Sequence, residues 1–121
     1  MPEEISLSED KKYILIKSFD EVKKEDVLNS LNKVIKIYEE FGLNRVLVDA
    51  RDAEIVPGIL EMFLFGDELA DSTRDLKFRS ALVIGEKKIP SYEFVETVVQ
   101  NRGGVLKIFK DIKNGLKWLL E

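Results

Sequence analysis

The sequence predicts an α/β domain: a mostly parallel five-stranded sheet with a short antiparallel strand at one edge and four main helices. Three observations carry this reading. Short apolar runs of strand length alternate with segments whose apolar residues recur at three- and four-residue steps. The connections between them are brief and marked by Gly, Pro and Asp. Finally, a chain of 121 residues with 45% hydrophobic and 35% charged residues fits one globular domain around a single core. Strands and helices that alternate through short connections pair in parallel, by right-handed crossovers.

The elements follow in order. Ile5 and Leu7 alternate with polar residues and form a short first strand, and Glu9 to Lys12 is a turn. Tyr13 to Ile16 is apolar on both faces, as a strand buried between two layers must be. Glu25 to Phe41 is a helix: Val27, Leu31, Val34, Tyr38 and Phe41 form one apolar stripe, and Gly42 stops it. Lys33, Lys36, Glu39 and Glu40 make its solvated face. Val46 to Val48 is the next strand and Gly58 to Asp71 the second helix. Ala81 to Ile84 is a strand closed by Gly85, and Pro90-Ser91 introduces a helix over Tyr92 to Arg102. Gly103-Gly104 follows a helix and precedes a strand, the reverse of a phosphate cradle, so it is a turn. Val105 to Phe109 is the last strand, and Asp111 caps a final helix over Ile112 to Leu120. Trp118 falls off that helix's apolar stripe, so it either caps the rim of the sheet, the favoured reading, or joins a subunit contact.

Composition excludes several functions. A net charge of −4, with Lys balanced by Glu and Asp throughout, is not the basic footprint of a nucleic-acid binder. Cys and His are both absent, which removes disulfides, Cys/His zinc sites, thiol nucleophiles and any His-based triad. No calcium-loop spacing occurs, and no metal or cofactor is expected. No basic-then-apolar leader stands at Met1 to Glu4, and no apolar run reaches spanning length, so the expected compartment is the cytoplasm.

The candidate working edge is Arg45 to Gly58, RVLVDARDAEIVPG. Ligands and partners of parallel sheets gather at the carboxyl ends of strands. Here an apolar strand runs into Asp49, Arg51 and Asp52, and then to Pro57-Gly58 at the head of a very apolar helix. In one reading Arg51 grips an anionic group while the carboxylates orient a polar one. In the other, Asp49 caps local backbone and Arg51 pairs with Asp52 or Glu54 at the surface. Pro57-Gly58 is either a hinge for the helix or the Pro that presets its first turn.

The second helix holds the sharper clue. At ~100° per residue, Ile59, Met62, Phe63, Gly66, Leu69 and Ala70 gather on one stripe. Leu60 and Leu64 form a pair off that stripe, and Phe65 lies on the opposite shoulder. Four consecutive large apolar residues, Met62 to Phe65, cannot all face one core. Either neighbouring helices cover them or they form an interaction surface.

Taken together, VLVDAR (Val46 to Arg51), SALVIG (Ser80 to Gly85) and VLKIFKDIKNGLKWL (Val105 to Leu119) resemble the SpoIIAA-like family of the STAS superfamily, over nearly the whole chain. The resemblance implies parallel strands in sequential order, wound with helices as a β-α superhelix. The family's founding members bind an anti-sigma kinase and are switched by phosphorylation of a Ser in an Asp-Ser-Ser/Ala-Gly motif opening the second helix. Pro57 stands near that Asp and Gly58 near that Ser. No Ser or Thr occurs from Ala50 through Asp71, so the roughly −1.5 to −2 charge a phosphate adds has no acceptor there. Fold likeness transfers no activity.

The leading expectation is a non-enzymatic STAS-like module. It binds a protein partner or itself, as a homodimer, through Asp49, Arg51, Asp52, Pro57, Gly58, Leu60, Leu64 and Phe65. The alternative is a carrier or sensor of a small apolar, lipid-like ligand held under the second helix with its polar head at Arg51. An enzyme using the Asp49/Asp52 pair ranks last, because no second catalytic group is visible.

Overall fold

In the computed structural model, which describes residues 3–55, 78–101 and 105–121, the chain builds one five-stranded sheet. Its strands are β1 (Glu3–Leu7), β2 (Ile14–Val22), β3 (Arg45–Ile55), β4 (Arg79–Val83) and β5 (Val105–Phe109), adjacent in that order. The edge strand β1 pairs antiparallel with β2, and every later pair is parallel. The described helices are α1 (Lys24–Phe41), α2 (Ile89–Asn101) and α3 (Ile112–Leu119), with a 3-10 turn, Glu86–Lys88, leading into α2. Three helices are thus described where the sequence suggested four. The expected helix over Gly58 to Asp71 and the turn at Gly103-Gly104 lie outside the described residues.

Two faces of the sheet are covered by different helices because strand side chains alternate. On one face Ile14, Ile16 and Val46 meet Val34, Ile37 and Tyr38 of α1. On the same face Val48, Leu82, Leu106 and Ile108 surround a buried group that includes Ala50, Ala53 and Tyr92 of α2. On the opposite face Leu47, Ala81 and Val83 pack against Ile112, Leu116 and Leu119 of α3. At Gly115 α3 faces the sheet with room for a side-chain carbon: a Cβ there would stand 3.4 Å from Val83 Cγ2, an ordinary contact distance.

Helix ends follow local chemistry. The Asp26 carboxylate accepts the Lys23 N–H at 2.9 Å, and α1 begins at Lys24, one residue before the Glu25 that the sequence suggests. Gly42 ends it in the left-handed region, at φ 72°, with its N–H on Tyr38 O at 2.7 Å. Phe41 is 48% exposed, so the buried stripe stops at Tyr38. Asp111 caps α3 as expected, its carboxylate accepting the Asn114 N–H at 2.8 Å. Trp118 packs at the rim: the Arg79 guanidinium lies 4.0 Å from its ring centroid, and the Phe109 ring meets it at a tilt of 47° with centroids 5.7 Å apart.

The first strand is tied to both neighbours by one carboxylate. Glu3 accepts the Ser18 hydroxyl of β2 at 2.5 Å and the Ser30 hydroxyl of α1 at 2.6 Å, both from buried serines. Among the described residues no helix is long and apolar enough to cross a membrane.

Candidate functional site at the carboxyl end of β3

The third strand does not end at Val48, as the sequence suggests. β3 continues to Ile55, and Asp49, Arg51 and Asp52 lie within it. The apolar pattern stops at Val48, but β2 also runs on, and their pairing reaches Val22↔Ile55. Main-chain hydrogen bonds with a neighbour extend the strand past the point where side chains signal it. β4 pairs only with Arg45 to Asp49. Among the described residues, Ala50 to Ile55 therefore has a strand partner on the β2 side alone.

A bulge sits at the point where β3 leaves β4. Lys17 stands opposite Asp49 and Phe19 opposite Asp52, so Ala50 and Arg51 together face Ser18. Asp49 is buried and Arg51 folds back over it. Arg51 Nε donates to Asp49 Oδ1 at 2.8 Å and Nη2 donates to Oδ2 at 2.9 Å. The Arg51 backbone N–H adds a longer bond to Oδ1, at 3.3 Å. The Asp49 side chain is 8% exposed and that of Arg51 44%. The pair is thus half sunk in the surface.

Electrostatics follow the geometry. The Arg51 side-chain bonds hold the Asp49 carboxyl below its usual range against the opposing cost of burial, and the Lys17 charge adds to them. Arg51 is stabilised in turn as a cation, chiefly by Asp49 and further by the charge of Asp52. Of the two sequence readings, local pairing of Arg51 is what is observed, but its partner is Asp49 rather than Asp52 or Glu54. Arg51 turns back to the carboxylate two residues before it, at the bulge in β3.

Two further groups belong to this edge. Lys88, from the 3-10 turn after β4, donates its ammonium to the Ala53 carbonyl at 2.8 Å, closing part of the β3 edge that β4 leaves open. Beneath it Ala50, Ala53, Val22, Ile84 and Tyr92 form a buried cluster, and burial pushes the Tyr92 hydroxyl's pKa up. The sequence carried no sign of Lys88, because its bond depends on where β4 stops. Nor did it place Lys17 opposite Asp49, which is a matter of register. Pro57, Gly58, Leu60, Leu64 and Phe65 lie outside the described residues. Among the described residues no group of three or more acidic side chains is placed to hold a metal ion.

No family model matches the sequence, and comparison with curated proteins gave no match. Solved structures do match. One is an uncharacterised protein of the DUF3478 family with a SpoIIAA-like fold, from Shewanella loihica PV-4. It has 19% identity and a TM-score of 0.61, covering 97% of this chain and 91% of that one. Another is the anti-sigma factor antagonist SpoIIAA in its unphosphorylated form, at 9% identity and a TM-score of 0.60, covering 95% and 94%. Identities this low speak to architecture alone: at TM-scores of 0.60 and 0.61 over nearly the whole chain, the chain has a SpoIIAA-like fold.

Proposed function

We propose that this chain is a non-enzymatic interaction module. It binds a protein partner, or a second copy of itself, at the carboxyl end of β3. The residues assigned are Asp49, Arg51 and Asp52 with the sequence that follows, Pro57, Gly58, Leu60, Leu64 and Phe65. The observation that carries this reading is the half-exposed Arg51 guanidinium, held by Asp49 beside a strand end that β4 does not cover. A guanidinium already fixed by two bonds loses little freedom when a partner's carboxylate or carbonyl takes its remaining donors. The apolar run Met62 to Phe65 supplies the kind of side chains that fill an interface core. One structural neighbour is an antagonist of an anti-sigma factor, a protein target, and this supports a protein partner here. Without Ser or Thr between Ala50 and Asp71, control of binding does not run through a phosphate at that place.

The test is native mass spectrometry of the freshly purified protein, together with capture of partners on immobilised chain. Arg51→Ala and Leu64→Glu are compared with wild type after circular dichroism shows them folded. The proposal expects both variants to lose the wild-type association. Variants that keep the same oligomeric state and the same captured proteins would overturn it. A fixed extra mass on a monomer, released on denaturation, would instead favour carriage of an apolar ligand.

A further inference from the structure

We propose that the outer edge of β5 is an otherwise strand-accepting edge that two side chains of α2 hold shut. It is a built-in guard against β5-to-β5 pairing with a second copy of this chain. Backbone groups on a strand point alternately to either side. Phe109 O accepts the Ile84 N–H at 3.0 Å, so Val105, Lys107 and Phe109 turn their backbone groups toward β4. Leu106 and Ile108 therefore turn theirs outward, where an added strand would bond.

Those two residues are the ones α2 reaches. Gln100 Nε2 donates to the Leu106 carbonyl at 3.0 Å, and Glu96 Oε2 accepts the Ile108 N–H at 3.1 Å. The match is geometric. Four residues of helix rise about 6 Å, close to the roughly 6.6 Å that two strand residues span. An i, i+4 pair on a helix running against the strand thus meets successive outward groups. One side chain donates and the other accepts, as the two faces of a missing strand would.

Lys107 adds a charge to the guard. It is exposed, and two copies of β5 paired antiparallel about Lys107 would set Leu106 against Ile108. That arrangement brings the two Lys107 side chains directly opposite each other, which is unfavourable.

Two measurements test the guard. In amide exchange, Glu96→Ala should bring the Ile108 N–H to the rate of an exposed amide and leave the Ile84 N–H protected. Unchanged protection at Ile108 would overturn the proposal, and this single variant decides the matter even if larger changes fail to fold. In native mass spectrometry, Glu96→Ala/Gln100→Ala/Lys107→Thr should form assemblies above the wild-type state that grow with concentration. Lys107→Thr alone should not. A folded triple variant that keeps the wild-type state, or a Lys107→Thr variant that assembles equally well, would refute a lock made by α2.

Discussion

Replacing Arg51 by Ala removes two charged hydrogen bonds from a carboxylate whose side chain is only 8% exposed. Bonds to charged groups contribute roughly 1.5–3 kcal/mol each where water is excluded. Arg51 is 44% exposed, so solvent competes for it and the value falls toward that of a surface pair. The backbone N–H of residue 51 still reaches Asp49, and water gains access once the guanidinium is gone. The loss should therefore be about 1–2 kcal/mol near neutral pH, or several degrees in Tm for a chain of this size. The pH dependence follows from the depressed carboxyl. Asp49 has a folded pKa below its ordinary 3.8, so the stability it contributes is complete above that value. It is lost as pH falls through the lower folded value. Urea unfolding followed by the one tryptophan, at neutral pH and in steps into the acid range, should show a gap between wild type and Arg51→Ala. The gap should be full at neutral pH and close in acid. Equal stability at neutral pH, or a gap that acid leaves untouched, would refute the reasoning.

Gly115→Ala should stabilise the protein by about 1 kcal/mol, from helix propensity. Its new methyl would meet Val83, Leu47 and Phe109 at 3.4–3.5 Å, ordinary contact distances, and a lower urea midpoint would contradict this. Glu3→Ala leaves the buried hydroxyls of Ser18 and Ser30 without their acceptor, at a cost of roughly 2 kcal/mol. A thermal melt like that of wild type would disprove it. Tyr92 should titrate above its ordinary 10.0 because burial disfavours the phenolate. Its contribution is present below 10.0 and lost as pH rises through the higher folded value, and a tyrosinate absorbance titration of Tyr92→Phe against wild type checks this.

Most of the fold was legible because its signals are local. Val105 to Phe109, with Asp111 as the next cap, and Gly42 as the stop of α1 coincide with the structure, since β-propensity, an Asx cap and a left-handed glycine act within a few residues. The antiparallel edge position of β1 was readable from its shortness and its close connection to β2. Strand ends were not. Lys17 to Val22 and Asp49 to Ile55 carry charges at many positions, and they are strands because each supplies the other's hydrogen bonds. That is a property of the pair, invisible in either segment alone.

The candidate site divides in the same way. Legible in the sequence alone were the α/β class, the charged cluster Asp49, Arg51 and Asp52, though placed just past the third strand rather than within it, and the lack of Ser or Thr from Ala50 to Asp71. These depend on residue identity and local periodicity. Packing alone shows that Arg51 grips Asp49, that Lys17 stands beside them, that Lys88 closes on Ala53, and that Gln100 and Glu96 take the Leu106 carbonyl and the Ile108 N–H of β5. Each of those contacts turns on register, on a one-residue bulge or on the place where a neighbouring strand stops. Such quantities are set by the packing of whole elements, and a shift of one residue would send every side chain to the other face.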